Sequence, residues 1–546
     1  MGQEDGPVTR LGRLPDATPG DGNSLPHTDG VGANLLAVND AFYGDVVDKT
    51  VPLPPVEHNS KLGEGKDFNH TEESLVLDDA RAQGDAVSDG KPGFIRSVRN
   101  FCSEGHTPWD AFLSVASSAV GQVILTYPYQ LAIMGIIPGI FIGIGVGLLN
   151  FYTLWLMIIL YLHRKKDMVK AGEWYNDVDS NGYQRRRTVT QYHDIIGFSL
   201  GRYPFGLLGQ LLTALYILGV AIQQVVASAS SQHTINPEYS KRTLTLILGG
   251  PILIFGFLPR HVLAFFRSVR VLNLLALVGT NYSCLYFFIY AVHKGGHRGI
   301  ITRGPLSIQD FFLGAAVVGS AGHSISMEIM DSMRRSRQFT IASFTGWVWN
   351  IILLLPHSIA IVLAFPQAIL AQANVYAVLP NSGFKSFSVY IMLFHNIAAF
   401  TLHTNPLLYM WEKLIRTHHT PWYIRIPSRT PVLAVIWVLS LAIPFYGTIN
   451  SLFSALCVGL TAFFLPTLAF NWHYRTEQRR RDCPITPPWP LHLWGWKPLF
   501  AFNTFLLLFF LGTSTGCGIY YSIKQLIANI HTFHVFAACF QCTSKS

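Results

Sequence analysis

Residues 110–136 read DAFLSVASSAVGQVILTYPYQLAIMGI, and this stretch decides the class of fold. After Asp110 no Asp, Glu, Lys or Arg appears through Ile136. A helix of about 20 apolar residues is enough to cross the hydrocarbon core of a bilayer. Two residues nevertheless work against a continuous helix. Gly121 lowers helix propensity, and Pro128 removes a backbone donor and clashes with the preceding turn. The sequence therefore predicts an interrupted transmembrane helix with free amides and carbonyls near mid-membrane. Such breaks are tolerated where they line a cavity, and half-helix N-termini then attract anions. A proline kink that serves packing alone is the competing reading.

Similar runs recur down the chain. Eleven apolar segments lie at approximately 110–136, 139–161, 204–230, 242–258, 269–292, 310–332, 341–365, 386–411, 431–447, 449–471 and 499–523. The third, around Leu207 to Ser230, carries small residues of the kind that let helices approach closely. Ten core helices arranged as five plus five, with one more, fit an inverted-repeat transporter. Composition agrees: half of the 546 residues are hydrophobic, only 13% are charged, and mean hydropathy is +0.31. Soluble domains carry about 25% charged residues. A soluble enzyme, a disordered protein and a small disulfide scaffold are thereby excluded.

Charge is placed by topology. Residues 1–100 hold 17 acidic and 9 basic residues, a net of −8, so the remainder carries +17 of the overall +9. Residues 1–105 are rich in Gly, Pro, Asp and Ser and read as a disordered acidic cytosolic tail. Nucleic-acid readers gather basic residues on a soluble face; here they fall between apolar runs, so no nucleic-acid partner is expected. The 162–203 loop holds Arg164, Lys165, Lys166, Lys170, Arg185, Arg186, Arg187 and Arg202. Loops after segments 6, 8 and 10 are also basic, and the 366–384 loop has no Lys or Arg. The 293–308 loop is the one contrary case. The positive-inside rule then puts the N-terminus in the cytosol and, with an odd number of spans, the C-terminus outside. The transporter domain is expected over 106–526, with an extracytosolic tail at 527–546. In that tail Cys539 and Cys542 form a C-x-x-C pair, a local disulfide or two idle thiols rather than a zinc site.

Polar groups inside the spans carry the functional signal, because ionisable groups in lipid are costly and line cavities. Segment 6 runs Gly319-Ser320-Ala321-Gly322-His323-Ser324-Ile325-Ser326-Met327-Glu328. Its glycines predict a second break. Glu328 is the only carboxylate deep in any apolar segment, and Ser324 shares its face at four-residue spacing. His323 titrates near physiological pH, which suits a proton-linked step. Gln223 and Gln224 in segment 3, and His395, Asn396, His403, Thr404 and Asn405 in segment 8, are either ligand contacts or interhelical glue. The histidines lack metal-ligand spacing, and no nucleophile constellation suggests an enzyme.

These segments resemble a known family. Trp109-Asp110-Ala111 through Tyr129, and Gly322-His323 through Met330, are similar to the AUX/LAX auxin influx carriers of the amino acid/auxin permease group. So are Pro406-Leu407-Leu408-Tyr409-Met410-Trp411-Glu412-Lys413, Pro444 through Ser451, and the ending from Thr532 to Cys542. The resemblance covers about residues 107–542. It implies an all-α polytopic membrane protein with a LeuT-type five-plus-five inverted-repeat fold and an eleventh transmembrane helix. It also implies proton-coupled import of indole-3-acetic acid across the plasma membrane. The family's helix 1 Gln and Thr-x-Pro map onto Gln122, Thr126 and Pro128. Its helix 3 Gln maps onto Gln223, and its segment 6 histidine and glutamate onto His323 and Glu328. Ser117-Ser118-Ala119 stands where the family commonly reads S-N-Q, and Thr404-Asn405-Pro406 where it reads C-T-P. The substrate-binding set expected is Ser117, Gln122, Thr126, Gln223, His323, Ser324 and Thr404, with His323 and Glu328 coupling the proton. The partners expected are a small organic anion, the proton and the bilayer, around a monomer needing no cofactor. An amino acid symporter of the same superfamily, or a non-transporting membrane receptor, are the alternatives.

Overall fold

The computed structural model describes residues 107–538 apart from 172–176, 179–183, 186–188, 258–268, 295–303, 319–322, 334, 418–419, 444, 486 and 488–494. The acidic tail, the Gly319–Gly322 lead of segment 6 and the Cys539/Cys542 pair lie outside the described residues.

All eleven apolar runs coincide with helix. Segment 1 forms α1 (Pro108–Val120) and α2 (Val123–Met134), bent by 54° across a break. Segments 2 to 5 follow as α3 (Ile136–Lys170), α5 (Leu207–His233), α6 (Lys241–Ile254) and α7 (Val269–Lys294), with α4 (Tyr192–Leu200) between the first two. Segment 6 is α8 (Ile308–Val318) and α9 (His323–Asp331), and segment 7 is α10 (Phe339–Ala364). Two short helices, α11 (Pro366–Ala371) and α12 (Val375–Val378), precede the long α13 (Gly383–Leu414). The chain closes with α14 (Thr430–Ala442), α15 (Tyr446–Phe453) continuing into α16 (Leu465–His473), and α17 (Trp496–Phe510) continuing into α18 (Ile519–Phe533). Wider π-helical stretches join the last two pairs. Among the described residues, seven helices are long and apolar enough to cross a membrane, and eight if α1 and α2 count as one span.

Three boundaries differ from the sequence reading. Helix α3 runs nine residues past 161, because its C-terminal end, HRKKDMVK, holds strong helix formers without Gly or Pro. The 162–203 loop folds the apolar face of α4 (Tyr192, Ile195, Ile196) into the core, and it carries a two-residue antiparallel pairing of Asp177–Val178 with Gln184–Arg185. Helix α18 reaches Phe533 instead of ending at 526, and the chain then turns back. Phe536 donates its amide to the Ala442 carbonyl at 3.0 Å, and the Ala538 carbonyl accepts from Arg242.

Lipid is as apolar as leucine, so the packing of these helices rests on close contact and hydrogen bonds more than on expelling water. Helix α5 shows how. Gly219 lies under the Phe453 ring, so close that a Cβ there would sit 2.3 Å from it. The C-terminal end of α13 is held by a buried cluster built from the Trp411-Glu412-Lys413 motif. Trp411 Nε1 donates to the Ser428 carbonyl at 2.7 Å, and Arg429 donates to Glu412 at 2.7 Å and to the Gly256 carbonyl at 2.9 Å.

Candidate functional site

The site grows from the first break. Thr107 and Asp110 cap α1 reciprocally, the amide of Thr107 donating to Asp110 at 2.8 Å. The helix then runs to Val120 and stops at Gly121, whose φ of 27° favours glycine. Pro128, the other residue expected to break the helix, sits inside α2 instead. Gln122 in the gap donates its Nε2 to Gln223 Oε1 of α5 at 2.6 Å, so the break is clasped to the third segment.

Beside it lies a cavity of about 180 Å³. That volume suits one small molecule, since drug-sized pockets start near ~300 Å³. Its polar wall includes Gln122, Gln223, Gln224, His323, His403 and Asn450, and its apolar wall includes Tyr127, Phe151, Leu154, Trp347, Ile351 and Phe453. Among the described residues no Asp, Glu, Lys or Arg lines it. Among the described residues Gln224 Oε1, Trp347 Nε1, Asn350 Oδ1 and Asn450 Nδ2 are buried with no hydrogen-bond partner. Buried polar groups without partners need an explanation, and a ligand's polar atoms supply one.

His323, 3% exposed, is the first residue of α9 and faces this cavity. Its Nε2 lies 3.0 Å from Thr153 Oγ1 on α3. That hydroxyl is 3.1 Å from the Leu149 and Asn150 carbonyls, which only accept. The Thr153 proton is therefore committed to its own helix, and its oxygen accepts from Nε2–H. In the neutral ring Nδ1 is left as the basic nitrogen.

The other expected residues divide. Gln122, Gln223 and His323 are brought together. Ser117 bonds back to the Ser114 carbonyl, Thr126 to the Val123 carbonyl, and Ser324 and Thr404 are buried away from the cavity lining. Glu328 is also outside the lining. It accepts from Gln191 Nε2 at 2.7 Å, and Lys413 Nζ lies 3.5 Å from the same Gln191 side chain. About one and a half turns of α9 thus separate the carboxylate from the histidine and place it in a polar clasp with Gln191. Asp331 belongs to that clasp too, accepting from Tyr161 at 2.6 Å and from the Thr190 amide at 3.1 Å. In α13, Asn396 donates to Ser228 at 2.9 Å and His395 contacts the Ala276 carbonyl, both as interhelical ties, whereas His403 lines the cavity. Sequence reasoning missed Trp347, Asn350 and Asn450. Their polar atoms inside apolar runs were the available signal.

Comparisons with known proteins agree with this geometry. Residues 104–481 match the family described as transmembrane amino acid transporter protein. Auxin transporter-like protein 1 of Arabidopsis thaliana is 31% identical over 85% of this chain and 92% of its own length. Auxin transporter protein 1 of Arabidopsis thaliana is 30% identical over 83% and 90%. Among solved structures, MhsT in complex with L-phenylalanine matches with a TM-score of 0.52 at 11% identity, over 78% of this chain and 99% of that one. The broken first segment and the central cavity thus belong to a LeuT-type secondary transporter, a multi-pass membrane protein. Within that class the chain belongs to the transmembrane amino acid transporter family, in its AUX/LAX auxin-transporter branch.

Proposed function

We propose that this chain imports a weak-acid indole compound, indole-3-acetate, together with a proton across the plasma membrane by alternating access. The observation that carries the reading is that, among the described residues, no carboxylate lines the cavity. An amino acid brings an ammonium that carbonyls or a carboxylate must meet, and Glu328, the carboxylate deepest in an apolar run, is engaged by Gln191 instead. A carboxylate alone needs donors. Those on offer are Trp347 Nε1, Asn450 Nδ2, the first amides of α2 and a protonated His323. Tyr127, Phe151, Trp347 and Phe453 supply flat apolar walls for the ring.

In this reading Gln122 and Gln223 orient the anion, and His323 takes the coupling proton on Nδ1. Ser117, Thr126, Ser324 and Thr404 support the breaks from behind. Glu328 stabilises the closed cytosolic side, and the proton is the only co-substrate. One chain holds the whole cavity, so a monomer suffices. In this reading the N-terminus faces the cytosol and the C-terminus the exterior, an orientation the basic loops support.

The names of the relatives favour auxin, whereas the family description and the phenylalanine-bound neighbour leave amino acid symport as the second reading. Uptake of radiolabelled indole-3-acetate by cells expressing the chain, with and without excess unlabelled amino acids, separates them. We expect saturable uptake that amino acids leave unchanged. Strong competition by amino acids, or uptake no greater than in control cells, would overturn the proposal.

A further inference from the structure

We propose that His357 is a second proton-binding site, in which the charged imidazole ties α10 to α2 through a carbonyl that Pro128 leaves free. It deepens the proton-coupled reading above but stands on its own geometry. His357 is 1% exposed, and its two ring nitrogens are fully provided for. Nδ1 lies 2.6 Å from the Leu353 carbonyl one turn back on its own helix. A carbonyl only accepts, so Nδ1 carries a hydrogen. Nε2 has two neighbours of opposite character: the Ser358 hydroxyl at 3.2 Å, which can donate, and the Ile124 carbonyl of α2 at 3.3 Å, which cannot.

That second carbonyl has a reason to be there. In an unbroken helix the amide of residue 128 would donate to it, but residue 128 is proline and has no N–H. The neutral ring therefore satisfies Nε2 by accepting from Ser358. Adding a proton turns Nε2 into a donor aimed at Ile124. Each protonation state has a complete set of partners, and only the charged state bonds the two helices.

Near the His357 contacts Ile124 and Phe287, the titratable residues are Tyr127 and Tyr129 on α2, Cys284, Tyr286 and Tyr290 on α7, and Tyr376, which packs on Phe287; none is ionised at neutral pH. Phe287 of α7 lies against the imidazole at 6.0 Å. Helix α10 has no Asp, Glu, Lys or Arg. Among the described residues no charged side chain acts on His357. Its charge is thus held by backbone carbonyls alone, and that holding requires α2 to stay against α10. A proton bound here is released when the two helices part.

Hydrogen–deuterium exchange on the full chain in lipid nanodiscs tests this, after correction for the intrinsic pH dependence of exchange. In the parent, amides of Val123–Met134 should be at least about tenfold better protected near pH 5 than near pH 8, the size of one charge-assisted contact. His357→Asn should lose that pH response. His357→Gln, whose amide donates at every pH, should be protected at both. Pro128→Ala returns an amide to the Ile124 carbonyl and should remove the pH response from the other side, guarding against a single variant that fails to fold. No pH-dependent protection in the parent, or its persistence in His357→Asn, would overturn the proposal. His323→Ala should leave this response intact, so absent indole-3-acetate uptake and absent α2 protection are separate failures.

Discussion

Replacing Thr153 by valine keeps the side chain's shape and removes one oxygen, and the structure sets what that costs. Thr153 Oγ1 receives the Nε2–H of His323 at 3.0 Å, in a place where neither group meets solvent. Without it the ring keeps only the Asn150 backbone carbonyl as a partner, so the cost is that of one hydrogen bond, about 0.5–1.5 kcal/mol. Binding of radiolabelled indole-3-acetate to purified protein near pH 5.5 should therefore weaken about 2–10-fold in Thr153→Val. Thr153→Ser restores the hydroxyl and should bind within a few-fold of the parent. Parent-like binding by the valine variant, or a serine variant as weak as the valine one, would refute the tautomer assignment.

Three further outcomes follow from other parts of the molecule. Glu412→Gln leaves Arg429 buried beside a neutral partner, so thermal denaturation should show a loss of about 3–5 kcal/mol, while indole-3-acetate affinity stays unchanged in protein that folds. In α4, burial holds His193 down to about 4, with Asp194 opposing, so the unfolded chain takes up this proton first. Stability should fall as pH drops from about 6.5 to about 4, and His193→Gln should flatten part of that slope. Burial alone would raise its neighbour Asp194, but His193, Arg164, Lys413 and the Gln191 amide hold that carboxyl down to about 2, so its contribution is present above its ordinary value of 3.8 and is lost as pH falls from there through about 2. The Asn69-His70-Thr71 sequon should stay unglycosylated in a eukaryotic host, since the basic loops put the tail in the cytosol; a glycosidase-sensitive mass shift abolished by Asn69→Gln would reverse the orientation.

Periodicity and length were enough to find each helical run, because a bilayer demands long stretches without charge. The break at Gly121 was legible for the same reason that it forms: a glycine without side chain, followed by a polar Gln that finds Gln223. Pro128 misled, since a proline's cost falls on the carbonyl four residues earlier, and a histidine from a distant helix can accept that geometry. Helix α4 was not visible because nine residues are too few to stand out inside a basic loop. The role of Glu328 could not be read from its depth in segment 6. A carboxylate within an apolar run can face a cavity or a polar side chain of another segment, and only the fold brings Gln191, 137 residues away in sequence, to Glu328. Thr126 and Thr404 show the same limit: a hydroxyl in a helix can bond back to its own turn or turn from the cavity, and sequence spacing does not say which.

In the proposed transport cycle His323 links proton binding to anion binding. Affinity for radiolabelled indole-3-acetate, measured across about pH 5 to 8 where histidine titrates, tests it in purified parent and His323→Ala of matched thermal stability. The account predicts that acid tightens binding in the parent, and that the alanine variant loses about 10–150-fold at acidic pH and most of the pH slope. A His323→Ala protein with the parent's slope would contradict it and place the coupling proton elsewhere.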